Sequence, residues 1–365
     1  MKKFLSLLLL LSLLLAGCGG KPAETTAAPT EAPTEAVTEA PTAPPTEAPT
    51  EAPTEAPTEP PVPTDSLTGE PLEAPQETRV FAVTINNVAV AMPMYGVSEA
   101  DLFFEMYINS YTTRGLAFFS DISTVGAIGS VRSLRYNFTD LCQIYDAVPV
   151  FASGDKRVLA DFNKSGLQGL NTGVYGGDYK FVDWERKNAG KSQEHCLFVR
   201  GAESVAAAEA ADIRITRQED WDYGLDFTEE PLLEGEKAAL VTINLTHNGV
   251  TKRTVMQYDA SAGRYQFIQY DQVMYDAFLE QNIYFDNVIV MFCNVYDEDV
   301  YHIAELTGGG EGYFAWGGRI IPICWSRETE ADPITFTHTD GTPLELGVGN
   351  SYIALAPLTS TVTYE

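Results

Sequence analysis

The chain has 365 residues, and its 51 acidic side chains against 23 lysines and arginines give a formal net charge of −28. Sequence-independent binding to nucleic acid depends on Lys and Arg side chains that meet phosphates, so we expect no nucleic acid partner. The folded part of the sequence also has no polybasic patch of the kind that holds proteins against anionic lipid.

The first eighteen residues are typical of a bacterial lipoprotein signal. Lys2 and Lys3 precede a short apolar run, and Leu-Ala-Gly-Cys ends at Cys18. A basic start, a short apolar run and small residues before the cleavage site indicate secretion, and the run is shorter than the ~20 residues of a membrane-spanning helix. We expect residues 1–17 to be removed, Cys18 to be lipidated, and the protein to be extracytoplasmic, anchored to the outer face of the cytoplasmic membrane. The alternatives are an ordinary signal peptide or a small anchor helix.

Residues 18–77 are predicted to be the lipidated N-terminus and a disordered stalk. Between residues 29 and 61 the chain repeats Pro-Thr-Glu-Ala and contains no aromatic residue. Such a segment buries too little apolar surface to offset its chain entropy, and its prolines favour extended polyproline II. Residues 1–20 carry +2 and residues 21–77 carry −11, which leaves −19 of the total of −28 for residues 78–365.

The first half of the remaining chain mixes strands and helices. Runs rich in β-branched and aromatic residues predict strands at 80–85, 102–108, 115–119 and 147–151. Helices are predicted at 135–145, 156–162 and 203–211. The polar, glycine-rich stretch 163–193 is predicted to be a long loop that is either functional or partly ordered by itself.

The second half is predicted to be mostly antiparallel strands. Residues 239–245 and 251–258 flank Asn248-Gly249, a typical hairpin turn. Further strands are predicted at 264–270, 287–293, 301–306, 312–316, 319–325 and 352–355, with one helix at about 271–281. Together the elements indicate an α/β (α+β mixed) architecture, with large sheets and helices on one side.

The four remaining cysteines stand in apolar surroundings: Cys142, Cys196, Cys293 and Cys324. We interpret them as buried small side chains, with one disulfide as the alternative.

Several segments resemble the YerB-type family of bacterial lipoproteins. They are Asn86-Asn87, 98–105, Thr113-Arg114 and 128–135 in the first half, and 287–290, 308–318, Trp325 and 340–347 in the second. The resemblance covers roughly residues 79–357. It implies a three-layer sandwich of two sheets and one helical layer, with an N-terminal part at 78–225 and a C-terminal part at 226–365. It implies no established activity. Around 184–186 and 194–198 the sequence departs from the family, and only Arg186 and His195 carry over.

The segment 129–135 is the first candidate site. Arg132 and Arg135, with Ser130 and Ser133, precede a predicted helix, where backbone amides favour an anion. Arginine also forms bidentate contacts with phosphate or carboxylate. The alternative is that the two arginines pair with acids inside the fold, namely Asp101, Glu105 or Asp140.

Two carboxylates form the second candidate. Asp101 and Glu105 are four residues apart, which on a strand places both on one face. Paired carboxylates serve acid–base chemistry or bind a hard cation. The alternative is that one caps a turn and the other pairs with an arginine such as Arg114.

His195 follows the predicted loop and is a candidate acid, base or proton carrier. The alternative is that it is a structural hydrogen-bond partner. The other three histidines are scattered without ligand spacing, so no metal and no cofactor are expected. Asp155, beyond the strand at 147–151, and Arg186 are weaker candidates. The glycine-rich stretch at 308–318 carries aromatics that either stack on sugar rings or pack in the core.

No recognisable catalytic motif is present, which favours a binding protein over an enzyme. Three hypotheses remain open: a surface-exposed lipoprotein that binds a cell-wall polymer or another envelope protein, an enzyme that acts on anionic envelope polymers through Arg132 and Arg135, and a solute receptor. The sequence does not indicate an oligomeric state.

Overall fold

A mixed sheet of eleven strands forms the central layer of the computed structural model, which describes residues 62–109, 111–232 and 234–365. A six-stranded antiparallel sheet packs on one face of the central sheet, and the helices Tyr136–Ile144 and Lys156–Ser165 pack on the other. The helix Gly201–Ala210 packs on the same face as the six-stranded sheet. This is the predicted three-layer arrangement of two sheets and a helical layer.

The first half of the described chain contains four α-helices and nine strands. The helices are α1 (Tyr136–Ile144), α2 (Lys156–Ser165), α3 (Trp184–Asn188) and α4 (Gly201–Ala210). The strands are β1 (Phe81–Ile85), β2 (Leu102–Asn109), β3 (Thr112–Phe119), β4 (Ala127–Gly129), β5 (Val148–Phe151), β6 (Leu170–Asn171), β7 (Lys180–Val182), β8 (Leu197–Arg200) and β9 (Asp226–Thr228).

The second half of the described chain consists of strands. They are β10 (Glu236–Lys237), β11 (Leu240–His247), β12 (Val250–Asp259), β13 (Arg264–Gln269), β14 (Gln272–Val273), β15 (Tyr275–Asp276), β16 (Gln281–Asn282), β17 (Tyr284–Phe285), β18 (Asn287–Cys293), β19 (Val295–Glu298), β20 (Tyr301–Ala304), β21 (Gly308–Trp316), β22 (Arg319–Arg327), β23 (Thr335–His338), β24 (Glu345–Gly347), β25 (Ser351–Pro357) and β26 (Thr361–Tyr364). The Asn248-Gly249 turn joins β11 to β12 as predicted.

The central sheet takes strands from both halves of the chain. Its order is β10-β22-β21-β18-β25-β2-β3-β1-β5-β6, with β23 also on β22. Strand β25, near the C-terminus, lies parallel to both β18 and β2 and joins the two halves. The six-stranded sheet has the order β14-β13-β12-β11-β26, with β17 also on β13.

Side chains that alternate in direction along β2 pack into the apolar cores on both faces of the central sheet. Phe103 faces the six-stranded sheet, where its ring centroid lies 5.9 Å from that of Phe267. Its neighbour Phe104 points to the opposite face, because successive strand side chains alternate, and lies 5.7 Å from Tyr145 at the end of α1. The near-continuous apolar sequence of β2 therefore reflects a strand that is covered on both faces.

The predicted helix at about 271–281 is wrong. Tyr270 and Asp271 have positive φ angles of 53° and 54° and form a two-residue turn between β13 and β14, as hairpin geometry favours. Asp276 Oδ1 then accepts hydrogen bonds from the amides of Phe278 and Leu279. This side-chain-to-backbone turn competes with helix formation.

Two other segments are more ordered than the sequence indicated. The stretch 163–193, predicted to be a loop, contains the end of α2, β6, β7 and α3. Residues 62–77, which the prediction placed in the stalk, lie on the folded part: Leu67 is fully buried in the helix-side core. The folded region therefore begins before residue 78.

The four described cysteines are free thiols. Cys142, Cys196 and Cys293 are buried and Cys324 is half-buried. No helix among residues 62–365 that the structure describes is long and apolar enough to cross a bilayer. Cys18, the signal segment and the Pro-Thr-Glu-Ala repeats lie outside the described residues.

Candidate functional site

Three arginines converge beside the start of α1. Arg132 and Arg135 come from the segment between β4 and α1, and Arg114 comes from β3. Arg114 is buried, and its Nη1 donates to the carbonyl of Ser133 at 2.8 Å. Burial, and next the positive charges of Arg135 and Arg132, hold the pKa of the Arg114 guanidinium well below its usual range. We call Arg114, Arg132 and Arg135 the arginine cluster.

Few anionic groups face the arginine cluster. Arg132 Nη1 lies 2.5 Å from Glu194 Oε2. Arg135 pairs with no carboxylate of the described residues; its guanidinium lies 5.2 Å above the ring centroid of Tyr301. The alternative pairing of Arg132 and Arg135 with Asp101, Glu105 or Asp140 is not observed among the described ion pairs.

Several hydrogen-bond donors at the cluster have no partner in the described part of the chain. They are Nε of Arg132, Nε of Arg135 and the buried Oγ of Ser130. Helix α1 begins directly after Arg135, with no side-chain cap and no acidic residue in its first turn. Helix N-termini attract negative charge, and Glu194 is the one carboxylate that forms an ion pair with the arginine cluster among the described residues.

His195 neighbours the arginine cluster, and Glu194 contacts both His195 and Arg132. His195 Nδ1 is 2.8 Å from Asn86 Nδ2, and His195 Nε2 is 3.6 Å from Glu194 Oε1. Burial lowers the pKa of the imidazole, Glu194 opposes the shift, and the positive charge of Arg132 adds to it. The structure thus brings Arg132 and His195 together on either side of one carboxylate.

Asp101 and Glu105 do not form one site. Asp101 precedes β2, and its Oδ2 accepts from the amide of Ser120 at 2.6 Å and from the Ser120 hydroxyl at 2.8 Å. Burial, and next the negative charge of Asp65, raise the pKa of the Asp101 carboxyl to about 7. Asp101 therefore fixes Ser120, the residue that directly follows β3, through two hydrogen bonds.

Glu105 is fully buried between the central and six-stranded sheets. Six donors surround its carboxylate: Asn87, Thr113, Lys252, Thr254, Gln269 and Tyr352. Burial alone would raise its pKa, but the charge of Lys252 and the hydrogen bonds from Thr113 and Tyr352 outweigh burial and lower it. An ionised carboxylate with this many donors joins the sheets and has little room for a substrate.

The remaining candidates have structural partners. Asp155 caps α2, where its Oδ1 accepts from the amide of Arg157 at 2.9 Å. Arg186 is buried, lies 3.2 Å from Asp183 Oδ2, and donates from Nη1 to the carbonyl of Ala91 at 2.8 Å. The rings of Tyr95 and Phe198 pack against its guanidinium. Phe314 of the glycine-rich stretch is buried in the core.

A large cavity lies away from the arginine cluster. Its volume is about 720 Å³, and it lies between α1, α2 and β20. Its walls carry mainly acidic side chains, namely Asp140, Asp161, Glu305 and Glu330, together with Lys164 and Arg327. Its acidic wall makes it a poor binding site for anions.

Sequence reasoning missed a second group of polar residues. His247, at the end of β11, and His302, in β20, both face Asp297 of β19. One ligand atom from each residue lies within 4.8 Å of the others. The histidines are far apart in sequence, but His247 directly precedes a hairpin turn and His302 lies opposite Asp297 in a hairpin. Only the pairing of these hairpins brings the histidines together.

Comparisons with known proteins agree with this architecture. Residues 67–214 match the family described as protein of unknown function (DUF3048), N-terminal domain, and residues 241–353 match its C-terminal domain. The chain is 23% identical over 273 residues to "Putative lipoprotein YerB" of Bacillus subtilis (strain 168), covering 69% of this chain and 74% of that protein.

A solved structure is also similar. The crystal structure of the YerB protein from Bacillus subtilis has a TM-score of 0.71 and 22% sequence identity to this chain. The match covers 82% of this chain and 99% of the other. At this identity the likeness shows the fold.

Proposed function

The chain belongs to the DUF3048 family, and we propose that it is a lipid-anchored extracytoplasmic protein whose arginine cluster binds a phosphate-bearing component of the cell envelope. The observation that carries the proposal is the collection of three guanidinium groups against one ion-paired carboxylate, Glu194. The net charge of −28 makes this local excess of positive charge stand out.

An anion would relieve two costs at the cluster. Burial and, next, the positive charges of Arg135 and Arg132 lower the pKa of Arg114, so the charged guanidinium is disfavoured there. Buried donors without a partner each cost about 1–3 kcal/mol, and Ser130 Oγ and the Nε atoms of Arg132 and Arg135 are such donors in the described region. Phosphate oxygens accept hydrogen bonds from arginine in a bidentate manner and bind at helix N-termini.

Anchoring rests on the N-terminal signal. The Leu-Ala-Gly-Cys ending at Cys18, and the name of the relative, a lipoprotein, support export and lipidation. We expect the native chain to fractionate with membranes and to incorporate labelled fatty acid. A Cys18→Ser chain should incorporate none and should be released or left unprocessed, while its folded part keeps its circular dichroism spectrum. Membrane retention of a processed Cys18→Ser chain would contradict the proposal.

Binding is tested with the full chain carrying Cys18→Ser and two probes, inorganic phosphate and poly(glycerol phosphate). We expect saturable binding in calorimetric titrations, weakened by salt. The Arg132→Gln/Arg135→Gln variant should bind at least about tenfold more weakly, a loss of about 1.4 kcal/mol. Arg253→Gln is the matched control, because Arg253 is exposed and pairs with Asp271 on the other sheet. Equal binding by both variants would overturn the proposal.

An enzyme acting on the same anion is the second candidate, favoured by the position of His195. The lowered pKa of this imidazole keeps it neutral near pH 7, the state that a general base needs, and Glu194 links it to Arg132. Turnover of a phosphate ester, lost in His195→Gln while binding is retained, would support an enzyme. Binding without turnover leaves the first candidate.

A further inference from the structure

The side chains of His247, Asp297 and His302 converge on a single carboxylate oxygen. His247 Nε2 lies 2.9 Å from Asp297 Oδ1, and His302 Nδ1 lies 2.6 Å from the same atom. The two imidazole rings are 4.3 Å apart between centroids. From this geometry we propose that His247, Asp297 and His302 bind a divalent transition-metal ion, with Zn²⁺ as the ion that fits best.

The distances suit a small metal ion. Ligands about 2.0–2.2 Å from a tetrahedral zinc lie roughly 3.3 Å from one another. Each of the two nitrogens must move less than about 1 Å farther from Oδ1 to reach that spacing. Asp297 is nearly half exposed, so its carboxylate has room to retreat, whereas the two histidine side chains are largely buried.

The donor set selects the class of metal. Two imidazole nitrogens and one carboxylate oxygen suit zinc and neighbouring transition metals, whereas calcium and magnesium prefer oxygen ligands. Three protein ligands leave a fourth position for water. That position faces solvent, because Asp297 is the exposed member of the group.

The ligands are held by surrounding contacts. Asn248 Nδ2 donates to the second oxygen of Asp297 at 2.8 Å, as outer hydrogen bonds do for ligating carboxylates. The Tyr107 hydroxyl donates to the carbonyls of Leu245 and Val250 at 3.0 and 3.1 Å and so fixes the turn that follows His247. The Tyr107 ring packs edge-on against His302.

A purely structural hydrogen-bond cluster explains this arrangement less well. Both rings meet one oxygen of Asp297, and the buried Nε2 of His302 has no hydrogen-bond partner among the described residues. In the metal-bound state the facing nitrogens carry no proton, so each ring keeps its proton on the other nitrogen. Binding would then fasten the β11–β12 turn to the β19–β20 hairpin, and it would weaken at acidic pH because protons compete for the ligands.

The test uses the full chain carrying Cys18→Ser, freed of metal with a chelator and then dialysed. Titration with Zn²⁺ is followed by calorimetry, and Co²⁺ is added separately as a probe of tetrahedral geometry through its visible absorption. We expect one ion per chain, and Co²⁺ absorption that Zn²⁺ displaces. Asp297→Asn and His247→Ala should each weaken binding at least about tenfold, and Asn248→Ala should weaken it less.

His338→Ala is the matched control, since His338 lies in β23 and outside the group. It should leave the affinity unchanged. Asp297→Asn keeps the side-chain shape at an exposed position, so its folding can be confirmed by circular dichroism before titration. Absence of one-equivalent binding to the parent chain, or equal affinity in Asp297→Asn, His247→Ala and His338→Ala, would overturn the metal site.

Discussion

Lys252 Nζ lies 2.9 Å from Glu105 Oε1, and this ion pair connects β12 of the six-stranded sheet to β2 of the central sheet. Both side chains are largely or fully buried. The pair and the other hydrogen-bond donors around Glu105 form a polar centre between the two sheets, and Gln269 contacts both residues of the pair.

Removal of one partner should destabilise the fold. Lys252→Met leaves the Glu105 carboxylate uncompensated in the interior, which typically costs about 3–5 kcal/mol. Urea unfolding measures the loss, with Lys156→Met, at an exposed helical position, as the control. The double variant Glu105→Gln/Lys252→Met should cost less than the sum of the single changes, because the two sites are coupled. Additive losses would show that the pair is not coupled.

Asp101 should make stability depend on pH. Its pKa is about 7 in the folded chain and about 3.9 when unfolded, so between these values the folded state holds a proton that the unfolded state has lost. The free energy of unfolding should therefore fall as pH rises from about 4 to about 7, by on the order of 3 kcal/mol.

The variant Asp101→Asn isolates this contribution, because its side-chain oxygen still accepts from the Ser120 amide. Urea unfolding at mildly acidic and mildly alkaline pH should show a smaller fall in the variant than in the parent chain. An identical fall in both would mean that Asp101 titrates normally in the folded chain.

The arginine cluster should reduce stability when no anion is present. Burial, with a further contribution from Arg132, lowers the pKa of Arg135, so the charged side chain is disfavoured in the folded state. Arg135→Gln should raise the free energy of unfolding by about 1 kcal/mol in phosphate-free buffer. Added phosphate should stabilise the parent chain more than the variant. Destabilisation by Arg135→Gln in phosphate-free buffer would indicate that its contact with Tyr301 dominates.

The thiols should differ in reactivity. In a Cys18→Ser chain, Cys324 is the most exposed of the four described cysteines, and burial raises the pKa of Cys293 to about 12. Because the thiolate is the reactive form, one thiol per folded chain should react rapidly with a chromogenic disulfide and four should react in urea. Cys324→Ser should abolish the rapid phase; a second rapid thiol would show that a buried cysteine becomes accessible.

Local patterns predicted much of the fold. The β-branched and aromatic runs located the main strands, and Asn248-Gly249 located a hairpin, because these signals act over a few residues. The helix at 271–281 was predicted wrongly because the Tyr270-Asp271 turn uses non-glycine residues with positive φ. Strand composition alone does not reveal that turn.

Contacts between distant segments were harder to predict. The sequence located Arg132 and Arg135 beside a helix start, but not the third arginine beside them or the pairing with Glu194. Lys252 reaches Glu105 only because two sheets stack. His247 and His302 likewise meet only through the packing of separate hairpins. Such relationships depend on topology, which residue periodicity does not specify.

The position of β25 has a consequence for how the chain becomes folded. Ser351–Pro357 follows every other strand of the central sheet along the chain, yet it lies in the middle of that sheet between β18 and β2. Until it arrives, β2 has an open edge, and open edges invite pairing with other chains. Sheets built from such distant segments also form slowly. A chain that is stalled or cut before residue 351 should therefore aggregate and be degraded, even though every other strand of the central sheet is present.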